Sequence, residues 1–144
     1  MRRAIRGNLA ATVAALAFMA IIPAVSHAGA AGIQYWGGFT ANVGGQNVLI
    51  PSGQLGHEII GSGYYVSRDT GEFISGPVMC DPSMRFTYGN GSLSYRQSVH
   101  WGCSRNGRWN FYPRRNMPRG SACAELWAKN WRVLVARQCH YIHG

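Results

Sequence analysis

The sequence is poor in acids, in lysine and in helical periodicity, and each shortage removes a class of function. Five Asp and Glu stand against fourteen Lys and Arg in 144 residues. Glycoside hydrolysis needs two placed carboxylates, and so few acids give little from which to place them. There is no Cys-x-x-Cys pair, so a zinc site built from the cysteines with His100 and His140 is a poor second to disulfides. Gly37-Gly38 and Gly44-Gly45 lack the strand–turn–helix setting of a phosphate loop. Only one long apolar run occurs, over residues 9–25; it is short for a membrane span and carries Pro23 near its end. An integral membrane protein and a large multidomain enzyme are excluded.

That apolar run has another reading. It follows the basic start Met1-Arg2-Arg3-Ala4-Ile5-Arg6 and precedes Ser26-His27-Ala28, small residues where a signal peptidase reads. Residues 1–28 are therefore expected to be a secretory signal peptide. Residues 29–45 are expected to form an extended N-terminal segment, and 46–144 a single β domain, in a secreted, extracellular protein.

Without the signal, eleven basic residues face five acidic ones, a net of +6. Residues 29–84 hold one basic residue, Arg68, against Glu58, Asp69, Glu72 and Asp81. Residues 85–144 hold ten basic residues against Glu125 alone. Such polarity steers anionic partners to one part of a small domain. Nine of those ten are Arg, whose planar fork suits carboxylate or phosphate and stacks on aromatics.

Four cysteines, Cys80, Cys103, Cys123 and Cys139, are an even number in a small exported chain, which points to two disulfides. Three pairings exist and spacing alone does not choose between them. Cys80–Cys103 with Cys123–Cys139 is preferred, because each bond would clip a local antiparallel excursion, contributing about 3 kcal/mol.

The rest reads as strands. Candidates are 33–36, 47–50, 57–60, 64–68, 85–88, 93–97, 108–112, 122–128 and 131–141. The clearest signal is Gly89-Asn90-Gly91 between alternating segments, the mark of a hairpin needing positive φ at its tip. Lys129-Asn130 suggests a second hairpin. The segment before it is read as a strand in preference to a short helix capped by Ser121. Short, evenly spaced strands with Gly-rich turns predict an all-β fold, a small disulfide-stapled β-sandwich or open barrel.

No catalytic constellation stands out, and neither a cofactor nor a metal is expected. His57, His100 and His140 are read as half-buried strand residues bonded to backbone. Glu58, His100, His140 and Arg96 are the types a small secreted nuclease uses, but no motif links them. Two surfaces are candidates for binding. The segment Pro113-Arg114-Arg115-Asn116-Met117-Pro118-Arg119-Gly120 reads first as a solvated loop. With Arg105 and Arg108 nearby, Arg114, Arg115 and Arg119 are also candidates to bind an anion. Ile33, Gln34, Tyr35 and Trp36 follow the cleavage zone and are candidates to bind a partner, as an edge strand or as a free arm.

The order of several pieces resembles that of small exported β-proteins of filamentous soil bacteria. These pieces are Leu49-Ile50-Pro51-Ser52-Gly53-Gln54-Leu55-Gly56-His57, Cys80 before the Gly-Asn-Gly hairpin, and His100-Trp101-Gly102-Cys103. Ala122-Cys123-Ala124-Glu125-Leu126-Trp127 and Arg137-Gln138-Cys139-His140-Tyr141-Ile142 complete the set. Within it, the pattern is similar to the small adaptor subunit of umbrella toxin particles. That resemblance implies a non-enzymatic clip joining a lectin-like subunit to a large toxin subunit in a secreted antibacterial complex, with Ile33 to Trp36 entering a cleft of the lectin. Two other functions compete. One is a stand-alone cationic protein binding anionic wall polymer or nucleic acid; the other is a small secreted hydrolase such as a ribonuclease.

Overall fold

A computed structural model describes residues 29–144; the expected signal peptide lies outside the described residues. Eleven strands carry nearly all regular structure: β1 (Ala30–Trp36), β2 (Phe39–Val43), β3 (Gln46–Ile50), β4 (Gly53–Ser62), β5 (Tyr65–Cys80) and β6 (Ser83–Tyr88). The rest are β7 (Leu93–Arg96), β8 (Cys103–Phe111), β9 (Arg115–Asn116), β10 (Gly120–Ala128) and β11 (Val133–Ile142). No described helix is long and apolar enough to cross a membrane.

Two antiparallel sheets form a sandwich that does not close into a barrel. The first has the order β1-β4-β5-β8, with β9 also pairing the start of β5; the second runs β11-β10-β6-β7; β2 and β3 form a separate hairpin. Leu55, Ile59, Phe73 and Trp109 point from the first sheet into one core with Met84, Phe86, Tyr88, Ala124 and Leu126 of the second. The alternation along β10 shows why it is a strand: Ala122, Ala124, Leu126 and Ala128 face in at period two, whereas a helix would spread them around its axis. The sheets approach closely at Gly71, where a Cβ would stand 2.8 Å from Met84 Sδ.

Turn chemistry explains the hairpins. Gly89, Asn90 and Gly91 have φ of 58°, 58° and 90°, values that glycine adopts freely and asparagine tolerates. Asn90 Oδ1 accepts from Ser121 N at 2.9 Å and so fixes the tip against β10. The second turn, Lys129-Asn130-Trp131, has φ of 54°, 53° and 67° without any glycine. Its first two amides donate to the Cys80 and Asp81 carbonyls at 3.1 and 3.2 Å.

Several boundaries differ from the sequence reading. Residues 39–43 form β2, tied to β3 by Gly44-Gly45 at φ of 61° and 85°. This is the two-residue turn that favours glycine, a signal the reading passed over. The expected strand 64–68 is the start of the 16-residue β5, which continues past a register irregularity between Ile74 and Met79. The loop containing Pro113 holds β9, and it is pinned by the buried Met117, whose amide donates to Tyr64 O at 2.8 Å.

Both disulfides join directly opposed residues of neighbouring strands: Cys80–Cys103 across β5 and β8, and Cys123–Cys139 across β10 and β11. No described cysteine is free. Unreduced, denatured protein should take up no thiol reagent. Reduction should destabilise the fold by about 3 kcal/mol per bond, read as a fall in denaturation midpoint; two or more labelled sites before reduction would refute the framework.

Candidate functional site

The first candidate surface is the outer face of the first sheet. All seven residues of β1 pair with β4; no second strand pairs with β1, which lies beside β11, where a Cβ at Gly32 would stand 2.6 Å from Gln138 Nε2. Of the residues singled out for partner binding, Trp36 turns inward and its indole N–H donates to Pro51 O at 2.6 Å, anchoring the strand. Gln34 is spent locally, its amide donating to Tyr35 O. Ile33 and Tyr35 point outward and are 55% and 67% exposed. Across the strands, Ile33 aligns with Gly56 and Glu72, and Tyr35 with Gln54 and Ile74, itself 53% exposed. An open depression of about 490 Å³ lies between Tyr35 and Ile74, and a groove of about 270 Å³ runs beside Ile33 toward Glu58, Glu72 and Arg108. Both acids there have partners: Arg68 Nη2 meets Glu58 at 3.0 Å and Arg108 Nε meets Glu72 at 3.4 Å.

The five arginines expected to bind an anion are dispersed. Arg105 and Arg108 lie on β8, the latter in the ion pair just described. Arg114 stacks over Tyr112 at 5.7 Å from the ring centre, and Arg115, in β9, over Tyr95 at 5.5 Å. The Tyr141 hydroxyl, and after it that of Tyr64, raises the pKa of Arg119. Arg114 and Arg115 thus each have an aromatic ring of their own.

A denser basic cluster stands on the outer face of the second sheet, among residues the sequence reading largely missed. Arg85 Nε donates to Glu125 Oε2 at 2.6 Å, Arg137 Nε approaches Glu125 Oε1 at 3.4 Å, and Trp127 Nε1 donates to Glu125 at 3.3 Å. Arg85 lies over the Trp127 ring and Arg96 over the Trp131 ring, each at 5.0 Å. Arg85-x-Thr87 on β6 and Glu125-x-Trp127 on β10 are alternate positions along their strands, but the partnership of Arg85 with Glu125 depends on cross-strand register.

Between the sheets lies a buried polar network. Asp69 Oδ1 meets His57 Nε2 at 2.8 Å, and Asp69 Oδ2 accepts from the Tyr88 hydroxyl at 2.5 Å. His140 stacks near His57, with ring centres 4.9 Å apart, and its Nε2 lies 3.2 Å from His57 O. His140 thus fits the half-buried, backbone-bonded reading. His57 does not: it is wholly buried and bonded to a carboxylate side chain, with Nδ1 unpartnered. Nor does His100, which lies outside the strands with its ring stacked on Trp109 at 4.1 Å. Burial, then the charge and hydrogen bond of Asp69, push the Tyr88 phenol far above its usual range. Burial lowers the pKa of His140.

The four nuclease-type residues are not brought together. Glu58 belongs to the outer face of the first sheet and Arg96 to that of the second, while His140 sits between them and His100 flanks Trp109. Among the described residues, no group of three or more His, Cys, Asp or Glu side chains is placed to hold a metal ion. Comparison of the chain with family models, with curated proteins and with solved structures gave no match.

Two outcomes follow from the buried network. Tyr88→Phe should destabilise the domain by about 1–3 kcal/mol, because it leaves a buried carboxylate oxygen short of a donor. Because the folded-state pKa of His140 is depressed, the unfolded chain binds its proton more readily. Its contribution should therefore erode stability as pH falls below the ordinary histidine value and vanish above it. Unfolding midpoints measured from pH 8 to 4 should fall less steeply in His140→Gln than in the parent; parallel curves would remove His140 as the cause.

Proposed function

We propose that the protein is a non-enzymatic adaptor within a secreted antibacterial toxin complex, joining a lectin-like subunit to a large toxin subunit. The observation that carries this reading is the apolar set Ile33, Tyr35 and Ile74, exposed on one face of a sheet whose edge strand is anchored by Trp36. Aromatic side chains displayed on a pre-ordered strand lose little freedom on binding and commonly supply most of an interface's energy. The two disulfides are compatible with the oxidising compartment this function requires.

Anchoring changes how the reading is tested. Removing residues 31–36 would strip most of a paired strand from β4, so loss of binding would not be separable from loss of fold. Outward substitutions avoid this. Ile33→Asp and Tyr35→Asp should leave the unfolding midpoint within a few degrees of the parent. Each should reduce recovery of co-secreted subunits from culture fluid by tenfold or more, as expected for an interface residue contributing about 2 kcal/mol. Undiminished recovery with both substitutions combined would overturn the assignment of this face.

A further inference from the structure

On the outer face of the second sheet, Arg96, Arg85, Glu125 and Arg137 stand in register across β7, β6, β10 and β11, one residue per strand. With strands about 4.8 Å apart, the row spans about 14 Å. Two like charges, Arg85 and Arg96, are directly opposed, an arrangement that ordinarily destabilises a sheet. The structure accommodates it by giving each guanidinium its own indole, Trp127 for Arg85 and Trp131 for Arg96. Glu125, whose side chain is only 5% exposed, offsets one of the three positive charges and leaves a net of two.

Two independent features mark the same place. Trp131 is held over Arg96 from a turn in which it adopts φ of 67°, a left-handed conformation rare for so bulky a residue. Such strain, maintained by surrounding contacts, concentrates at functional positions. Flanking Arg85 on β6, Thr87 and Ser83 share its face by the two-residue repeat. Their hydroxyls are buried and have no hydrogen-bond partner in the protein, Thr87 being 4% exposed.

We infer that this row binds phosphate groups of a polyol-phosphate chain, an anionic polymer without bases. Arg85 spends Nε and Nη2 on one oxygen of Glu125 and Arg137 turns Nε to the other, so the adjacent Arg96 fork, with the outer nitrogens of its neighbours, is what can match the several oxygens of a tetrahedral phosphate. One face of each indole is taken by Arg85 or Arg96, and the two rings lie 6.1 Å apart, tilted against each other, so they are poor platforms for the bases of a nucleic acid, which need free aromatic planes. This site shares no residue with the adaptor face and does not depend on that reading. It also differs from the five arginines of the sequence analysis, each of which lies elsewhere.

The test is titration of the full secreted chain with poly(glycerol phosphate), with polygalacturonate and with single-stranded oligodeoxythymidylate, each at low and physiological salt. Poly(glycerol phosphate) should bind most tightly, and more weakly as salt rises. Arg96→Gln and Arg137→Gln should each weaken it about tenfold, as loss of a charged hydrogen bond implies. Arg96→Lys should restore part of the loss, and Arg68→Gln, on the opposite outer face, should have no effect. Arg85 is left intact because its removal would strand Glu125. Tighter binding of the oligonucleotide or of the polyuronate would overturn the inference, as would no binding of poly(glycerol phosphate) or binding indifferent to Arg96 and Arg137 in variants with parental thermal midpoints.

Discussion

The carboxylate of Asp69 is the contact on which the arrangement of the two sheets turns. It lies in β5 of the first sheet, takes one hydrogen bond from Tyr88 of the second, and meets His57 of its own sheet. A buried carboxylate without partners would be costly to desolvate, by several kcal/mol. Sliding either sheet by one residue would strand it, so the network penalises misalignment in a way that apolar packing does not. The apolar core of Phe73, Phe86, Leu55 and Leu126 supplies cohesion, while Asp69 selects the one stacking that satisfies every oxygen. The outward faces, and hence both candidate surfaces, follow from that selection.

The elements most legible in the sequence were those whose cause is local. Gly89-Asn90-Gly91 demands positive φ, and its hairpin is where its chemistry says it must be. The apolar alternation of β10 overrides the competing capped-helix reading by Ser121, since a strand buries all four inward residues on one side. The near-in-chain cysteine pairs close because each sits opposite its partner on a neighbouring strand. Gly44-Gly45 carried an equally local message: Phe39, Ala41 and Val43 alternate with Thr40 and Asn42 before it, and residues 47–50 after it read as a strand on their own, so β2 and the turn were the parts passed over.

What was not legible depends on register between distant strands. Arg85 and Glu125 are forty residues apart, and nothing near either one announces the other. His57 looked like any half-buried histidine because its partner, Asp69, lies on the far side of a hairpin, and Tyr88 on the other sheet. The concentration of arginine in the C-terminal half was visible as composition. Its division among ring-stacked singles and one coherent row was not, because composition does not say which face a residue occupies. The aromatic residues near the N-terminus were legible as candidates, but their roles divided by strand parity: Trp36 holds the strand and Tyr35 is displayed by it.

Each disulfide lies within one sheet, so among the described residues no covalent cross-link other than the main chain ties one sheet to the other. The two candidate surfaces are on opposite outsides of the sandwich. Ligands engaged on both at once would pull along the axis the disulfides do not brace. Tension would reach the Asp69 contacts and the apolar interface before it reached either sulfur bridge. The domain is thus stiff to shearing of neighbouring strands and compliant to peeling of its layers, so under load it would part between sheets while each sheet stayed whole.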